Sequence, residues 1–338
     1  MIKPVRCAII GVGRMGTVHR LACQGSDLIN VTTVVDKSAR VRDRLSRHGL
    51  RCYPSVGDML GGGAIDAAVI ATPTPLHQEI SASLVGEGVA VLCEKPCGPT
   101  AAGLRMLAAR ADAGGALLRV GYWRRFVPAL GSLHDQLDRG ELGTVLSIET
   151  GQWDEFPPGA EYARACGGIF ADMAVHDVDQ IAWLTASPIR SVQAAVMRAE
   201  VCEQAGPAGS APQAGASEQS ALLLLDLANG LIAAASLGRR HPPGDVCWVR
   251  VHGTKGVRDV RFLWPPESDR QMLAAVRAQD EAFAALVLGS DEPRLATAAD
   301  AAAALAVAEA AELAAATGIR VRIDESGGKG RACATTSC

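Results

Sequence analysis

The chain has 338 residues, which at roughly 150 residues per domain corresponds to about two domains. Its 33 Lys and Arg nearly balance 36 Asp and Glu, leaving a net charge of −3, and only 4% of the residues are aromatic. A near-neutral chain with few aromatic rings lacks the basic surface and the stacking platforms of nucleic-acid-binding proteins, so we expect no nucleic-acid partner. The hydrophobic fraction of 49% excludes general disorder, and no uncharged apolar run reaches the roughly 18 residues of a membrane span.

The N-terminus and the cysteines both indicate a reducing compartment. The first residues lead directly into an apolar run and a glycine loop, so we predict no cleavable signal and a soluble, cytoplasmic protein. The ten cysteines are scattered and form no C-x-x-C pair, which favours free thiols over disulfides and predicts no metal site. Cys333 and Cys338 lie in a polar tail, 326–338, that we expect to be disordered.

Apolar runs alternate with helical patterns over the first 120 residues. The predicted strands are Val5–Ile10, Ile29–Val35, Ala67–Ala71, Val89–Cys93 and Leu117–Val120. The predicted helices are Gly13–Cys23, Ala39–His48, Leu76–Gly86 and Thr100–Ala113, with a shorter one near Val56–Leu60. This alternation predicts an α/β domain over residues 1–120, with a doubly wound parallel sheet of the Rossmann type.

Beyond Gly121 the alternation gives way to consecutive strands. The predicted helices are Val127–Arg139, Gly168–Leu184 and Thr297–Thr317. The predicted strands are Leu142–Gln152, Ile189–Glu200, Ser220–Asp226, Leu231–Leu237, Val246–His252 and Ile319–Ile323, and Gln204–Gln219 is predicted to be a flexible loop. This order predicts an α+β domain over residues 121–325 with a large, mostly antiparallel open sheet.

A glycine motif follows the first predicted strand. The run from Gly11 to Gly16 matches G-x-G-x-x-G and opens a helix, whose N-terminal N–H groups favour a pyrophosphate. Asp36 ends the second strand, where a carboxylate binds both ribose hydroxyls and repels a 2′-phosphate, so NAD is predicted over NADP. Lys37 and Arg40 leave NADP open, since either could reach that phosphate, and the alternative role for Asp36 is a helix N-cap.

Two further strands end in loops that should face the same ligand, because ligands bind beyond the carboxyl ends of parallel strands. The Ala71 loop carries His77, for which a helix start is an equally good interpretation, and the Cys93 loop carries Lys95 beside a candidate cis proline, Pro96. A surface salt bridge with Glu94 is the alternative for Lys95. The predicted cofactor-binding residues are Gly11, Gly13, Arg14, Met15, Gly16, Asp36, Thr72, Pro73, His77, Glu94 and Lys95.

The densest polar cluster of the second half lies in an otherwise apolar helical run. Asp172, His176 and Asp179 are spaced i, i+4 and i+7, so they share one helix face. A carboxylate one turn from an imidazole suits proton transfer, because histidine titrates near neutral pH and the acid can orient it. The alternative is structural: an acid favoured by the helix dipole and a histidine satisfied in the core.

These motifs occur in an order that resembles one family. The glycine motif, the acid after the second strand, T-P-x-x-x-H, E-K-P, G-Y-x-R-R-F and G-G-x-x-x-D-x-x-x-H-D-x-D are together similar to the glucose–fructose oxidoreductase, inositol dehydrogenase and rhizopine-catabolism (Gfo/Idh/MocA) family. The resemblance implies an NAD(H)-dependent oxidoreductase acting on a secondary alcohol. It implies that Lys95 stabilises the developing alkoxide, that His176 is the general base and that Asp172 binds substrate or assists.

The resemblance leaves the substrate open, because an inositol, another cyclitol, an amino-sugar and a pyranose all suit an inositol 2-dehydrogenase-like site. The candidate substrate-binding residues are Arg124 (or Arg125), Asp154, Asp172, His176 and His241. The alternatives are an NADP-dependent sugar or amino-sugar dehydrogenase and a non-catalytic NAD- or sugar-sensing regulator. The family and the leucine run at 221–225 also lead us to expect a homo-oligomer, a tetramer before a dimer, and no membrane partner.

Overall fold

The computed structural model describes residues 3–199 and 217–323. By internal contacts the chain divides into two compact units. Unit 1 comprises Met1–Phe126 and Met272–Ala302, and unit 2 comprises Val127–Gln271 and Ala303–Cys338, each considered over its described residues. The predicted tail 326–338, with Cys333 and Cys338, lies outside the described residues. Within the described ranges, no helix is long and apolar enough to cross a membrane.

Residues 3–126 fold into alternating strands and helices, as predicted. The strands are β1 (Val5–Ile10), β2 (Ile29–Val35), β3 (Arg51–Tyr53), β4 (Ala67–Ile70), β5 (Ala90–Glu94) and β6 (Leu118–Gly121). The helices are α1 (Arg14–Ala22), α2 (Ala39–Ser46), α3 (Val56–Gly61), α4 (His77–Gly86) and α5 (Ala101–Ala113). Three of these helices begin where the sequence supplies a hydroxyl cap, because Ser38, Ser55 and Thr100 each accept a backbone N–H of the first turn.

The described part of residues 127–323 contains mostly longer strands and again five helices. The strands are β7 (Val145–Trp153), β8 (Ile189–Ala199), β9 (Ser217–Leu227), β10 (Ile232–Gly238), β11 (Val246–Gly253), β12 (Gly256–Phe262), β13 (Ala296–Thr297) and β14 (Val321–Arg322). The helices are α6 (Pro128–Asp138), α7 (Ala160–Ala165), α8 (Val175–Thr185), α9 (Ser268–Val287) and α10 (Ala298–Thr317).

The described strands form two sheets, which confirm the predicted fold class. The sheet of unit 1 has the order β13-β6-β5-β4-β1-β2-β3 and is parallel except for β13. The strand order reverses between β1 and β4, which is where a doubly wound sheet binds its ligand. The sheet of unit 2 has the order β12-β11-β7-β10-β9-β8-β14 and is antiparallel except where β7 pairs with β10.

Three predicted boundaries can be compared with the structure. The helical run predicted from Gly168 begins there, where Gly167 and Gly168 have φ of +81° and +88°, and it passes through a π-helical turn, Phe170–Ala174, before it continues as α8. The predicted loop overlaps β9 at its end, residues 217–219, and its other residues lie outside the described ones. The predicted last strand shortens to β14.

Helix α9 was not predicted at all, for a physical reason. Its buried face contains Gln279 and Asp280, both 0% exposed, among the apolar residues Val276 and Phe283. These polar residues interrupt the apolar period that a sequence pattern depends on.

Candidate active site

The glycine loop of unit 1 is shaped by close backbone approach. Gly11 has φ +84°, and a Cβ there would lie 2.8 Å from the Ala71 carbonyl oxygen, while a Cβ on Gly16 would collide with the Gly11 carbonyl. Around Gly13 the space is open, with no described atom within 4 Å of a Cβ position. Among the described residues, no side chain caps α1 and no acid lies in its first turn, so its N–H groups are open to an anion.

Asp36 follows β2 and is held by two backbone donors. Its Oδ2 accepts the Val12 N–H at 2.9 Å and its Oδ1 accepts the Ser38 N–H at 2.8 Å. The alternative role of Asp36 as the cap of α2 is wrong, because Ser38 caps this helix with its own hydroxyl. Each carboxylate oxygen has a second lone pair, so Asp36 is fixed in place and can still accept hydroxyl groups.

His77 connects the loops that follow β4 and β5. It is 2% exposed, with Nδ1 2.8 Å from the Pro96 carbonyl oxygen and Nε2 2.7 Å from the Thr72 carbonyl oxygen. It is also the first residue of α4, as its structural interpretation predicts. The Thr72 hydroxyl is buried and has no hydrogen-bond partner among the described residues, so it is available to a ligand at this edge of the sheet.

Glu94 is the last residue of β5 and Lys95 follows it. Glu94 is 5% exposed; its Oε1 lies 3.1 Å from His19 Nε2, and its Oε2 accepts the Lys95 backbone N–H at 3.3 Å. Lys95 is half-buried, and the Lys95–Pro96 peptide bond is cis, as the sequence suggested. The open helix end, the fixed Asp36 carboxylate and the available Thr72 hydroxyl together fit the pyrophosphate and ribose of a dinucleotide.

In unit 2, a two-glycine turn leads into the π-helical turn that carries Asp172. The Ile169 N–H donates to Glu218 Oε2 at 2.6 Å, which supplies the acceptor that this turn needs at its start. Asp172 lies within the π-helical turn, and His176 is the second residue of α8; both are 6% exposed. Such π-helical insertions concentrate at functional sites because they redirect side chains from the regular helical spacing.

Two residues that sequence reasoning missed hold the Asp172 carboxylate. The Tyr162 hydroxyl donates to Oδ1 at 2.7 Å, and Arg239 Nη1 donates to Oδ2 at 3.0 Å. Arg239 is 5% exposed; burial opposes its charge, but Asp172 outweighs this and raises the pKa of the guanidinium. A signal was present in the run Gly238-Arg-Arg-His241, but nothing in it distinguishes the buried arginine from the exposed one.

Asp154 and His241, two of the substrate-binding candidates, are joined through their backbones. The His241 N–H donates to the Asp154 carbonyl at 2.7 Å, and the Asp154 N–H donates to the Gly238 carbonyl at 2.9 Å. Burial, followed by the charges of Asp245 and Asp172, raises the pKa of the Asp154 carboxyl to about 6. The carboxyls of Asp172 and Asp154 both act on the Arg239 guanidinium, and Asp245 acts on Asp154.

The remaining candidates belong to unit 1 or to the buried face of α8. Arg124 and Arg125 are 3% and 6% exposed, and Arg125 forms an ion pair with Asp300 at 3.6 Å. Asp179 is 4% exposed. Among the described residues, no group of His, Cys, Asp and Glu is arranged to hold a metal ion, and the seven described cysteines are free thiols.

Two family models match the chain. Residues 5–122 match the model of an oxidoreductase family with an NAD-binding Rossmann fold, and residues 132–258 match the GFO/IDH/MocA C-terminal domain. The NAD cofactor and the oxidoreductase class predicted from the sequence are thereby confirmed.

Relatives of named function align over most of the chain. The rhizopine catabolism protein MocA of Rhizobium meliloti is 41% identical over 90% of this chain and 93% of its own length. Inositol 2-dehydrogenase of Rhizobium meliloti strain 1021 is 31% identical over 75% of this chain and 74% of its own length. Among solved structures, GenD2 from gentamicin A biosynthesis, in complex with NAD, has a TM-score of 0.82 and 25% identity, covering 96% of this chain and 97% of that one.

Proposed function

The chain belongs to the Gfo/Idh/MocA family of oxidoreductases, and we propose that it is an NAD(H)-dependent dehydrogenase that interconverts a secondary alcohol and a ketone on a cyclitol. The assignment of the substrate depends mainly on the Asp172 carboxylate. Tyr162 and Arg239 hold this carboxylate, and it lies four residues before His176 in the chain. The hydroxyl groups of a polyhydroxylated ring can bind to such fixed acceptors and donors.

Lys95 is the residue that we assign to the reacting hydroxyl. An ammonium group beside this oxygen stabilises the negative charge that develops as its proton leaves. The two residues that flank Lys95 are anchored, Glu94 at its carboxylate and Pro96 at its carbonyl, so the lysine begins from a fixed backbone. Fixed geometry of this kind is what places a catalytic group without a large entropy cost.

His176 is the residue that we assign as the general base in oxidation and the general acid in reduction. An imidazole suits both directions because its ordinary pKa lies near neutral pH. Asp172 binds a second hydroxyl of the substrate or supports the imidazole, with its own charge held by Arg239. When bound, NAD supplies the hydride acceptor at nicotinamide C4.

A second candidate substrate class is an amino-substituted polyol. Burial, followed by the charges of Asp245 and Asp172, raises the pKa of the Asp154 carboxyl to about 6, while the Arg239 guanidinium lowers it. A substrate ammonium group would relieve this repulsion, whereas a neutral ring would leave it in place. The NADP-dependent alternative and the non-catalytic regulator have no such observation in their favour.

The test is a screen for NADH formation across inositols, aminocyclitols and aldoses, at fixed NAD and with NADP in parallel. We expect turnover with at least one cyclitol or aminocyclitol and a preference for NAD. Turnover of aldoses alone would contradict the cyclitol assignment. Binding of NAD without turnover of any polyol or ketose would favour the regulator.

We also propose that unit 2 assembles through the face of its sheet. Leu223 and Leu225 are buried, whereas Leu222 and Leu224 are 61% and 43% exposed on the other face. Ile232 on β10, 51% exposed, extends this apolar surface. Exposed apolar surface on a sheet is typical of a protein interface, and a second copy of the chain is the occupant that we expect.

Light scattering at micromolar concentration tests this assembly. We expect a homo-oligomer, with a tetramer before a dimer, and a smaller mass for the variant L222D/L224D. The variant L313D, at an exposed leucine of α10, is the control and should keep the wild-type mass. A monomeric wild-type protein would contradict the proposal.

A further inference from the structure

A buried network of charged residues is connected to Lys95 through Glu94, the preceding residue of the chain. His19 on α1 and Asp280 on α9 are 0% exposed, and Glu94 at the end of β5 is 5% exposed. His19 Nδ1 lies 3.0 and 2.8 Å from the two Asp280 carboxylate oxygens, and its Nε2 lies 3.1 Å from Glu94 Oε1. We name these three residues the His19 clamp; all three belong to unit 1.

The geometry of the His19 clamp requires a charged imidazole. Each ring nitrogen faces a carboxylate, and a neutral imidazole carries only one N–H, so only the imidazolium donates to both. His19 also lies in the last turn of α1, where a cation is favoured by the helix dipole. Burial opposes the charge, but Asp280 and Glu94 outweigh it and raise the pKa of His19 to about 10.

The thiols around the His19 clamp stay neutral. Cys23 on α1 donates to Asp280 Oδ2 at 3.5 Å, and Cys7 on β1 lies within electrostatic reach of Asp280. Burial, followed by the charge of Asp280, raises the pKa of both thiols far above the neutral range. The two thiols therefore add no charge to the contacts between His19 and its two carboxyl partners.

Glu94 transmits the position of His19 to the chain at Lys95. One of its oxygens faces His19, and the other accepts the Lys95 backbone N–H at 3.3 Å. Gly121 on β6 pairs with Glu94, and a Cβ there would lie 2.9 Å from Glu94 Oε1, so the carboxylate fills the space that the glycine leaves. Confined by Gly121 and His19, the Glu94 side chain has little freedom to move.

We propose that His19 is a positioning residue for Lys95: as an imidazolium it fixes the Glu94 carboxylate, and Glu94 fixes the end of β5 from which the lysine begins. The inference rests on the proposed function, since it takes Lys95 as the residue that acts on the hydroxyl. It also links three separate motifs, because the histidine after the glycine loop, the E-K-P sequence and the Gly121 motif meet at one carboxylate.

The first test is a charge-balanced double variant, H19Q/D280N, which removes one positive and one negative charge and leaves Glu94 with a neutral donor. We expect kcat to fall about 10-fold or more, with a smaller change in KM and an NAD dissociation constant within about threefold of wild type. A role in folding alone would lower the melting temperature and leave kcat per folded molecule unchanged. C23A, which removes a thiol that contacts the same Asp280, is the matched control and should keep kcat within about twofold.

K95A is measured beside these variants, so that two different failures can be separated. If K95A remains as active as wild type, the proposed function is wrong. If K95A is inactive while H19Q/D280N keeps the wild-type kcat, the positioning role of His19 is wrong.

Two further measurements do not depend on the stability of the double variant. In wild-type protein labelled with nitrogen-15 at histidine, both ring nitrogens of His19 should carry protons at pH 8, and a neutral ring at that pH would overturn the inference. E94Q keeps the shape of the side chain and removes its charge; we expect kcat to fall and the pKa of His19 to move toward its ordinary value. An unchanged kcat in E94Q would also overturn it.

Discussion

The two candidate regions differ in which parts of the chain supply their polar groups. At the nucleotide end of unit 1, each group lies at or just after a strand end: the glycine loop after β1, Asp36 after β2 and Lys95 after β5. In unit 2, the Asp172 carboxylate is held by Tyr162 on α7 and by Arg239 just after β10, 67 residues along the chain. The polar groups of the first region are therefore brought together by the strand ends at one edge of the sheet. Those of the second region come from segments that are distant in the sequence.

The regions also differ in how their charges are balanced. In the His19 clamp, two carboxylates share one imidazolium, and both ring nitrogens are engaged. Around Asp172, the Arg239 guanidinium is paired, but the carboxyl of Asp154 remains close to two other acids, and its pKa is raised to about 6. A fixed network suits the support of a catalytic lysine, whereas a partly repulsive group of acids suits the binding of a ligand that carries a positive charge.

The largest effect is expected for the variant K95A. We expect kcat to fall by about 10³-fold or more, roughly 4 kcal/mol of transition-state stabilisation, because the alkoxide loses its cation. The dissociation constant of NAD should change little, since the glycine loop and Asp36 remain. NADH formation and NAD titration measure the two effects. K255A, at an exposed lysine beside the β11–β12 turn, is the control, and activity in K95A equal to that of K255A would contradict the assigned role.

The next effect is expected at Arg239. R239A leaves the buried Asp172 carboxylate without its guanidinium partner, and we expect kcat/KM to fall about 100-fold, near 2.7 kcal/mol, with NAD affinity retained. R240A, at the exposed neighbour, is the matched control and should remain near wild type. Equal losses in the two variants would mean that Asp172 does not depend on the ion pair.

The same difference explains how much was predictable from the sequence. Most strands and helices over residues 3–126, the dinucleotide loop and Asp36 followed from local patterns, because parallel strands bring their carboxyl ends to one edge. The short strands β3 and β13 and the helix α9 were not predicted. Arg239 and Tyr162 could not be predicted as partners of Asp172, because a local sequence pattern does not indicate which distant side chain contacts this carboxylate. Asp280 was hidden for a related reason, since its buried charge interrupts the apolar period of α9. The roles of the candidate catalytic residues stay predictions.

A smaller effect is expected at Asp36, and it tests the nucleotide end of unit 1 alone. D36A removes the acceptor that faces the ribose and leaves the Val12 and Ser38 N–H groups open, so we expect NAD to bind about 10-fold more weakly, near 1.4 kcal/mol. NADP should bind as well as before or better, because the repulsive charge is gone. Dissociation constants for both cofactors measure this, with D43A, at an exposed acid on α2, as the control. A wild-type preference for NADP would contradict the role of Asp36.

The smallest effect concerns the acidic region of unit 2. The folded protein raises the pKa of Asp154 from 3.8 to about 6, because of burial and the charges of Asp245 and Asp172. Folding therefore favours the protonated carboxyl: this group contributes most stability below its unfolded pKa and loses that contribution as the pH rises through about 6. D154N should raise the free energy of unfolding by about 1 kcal/mol at pH 8 and by less at pH 4. Melting temperatures at the two pH values measure the difference, with D138N, at an exposed acid on α6, as the control. A gain at pH 8 no larger than that at pH 4 would show that the three carboxylates are not in repulsion, and the amino-substituted substrate would lose its support.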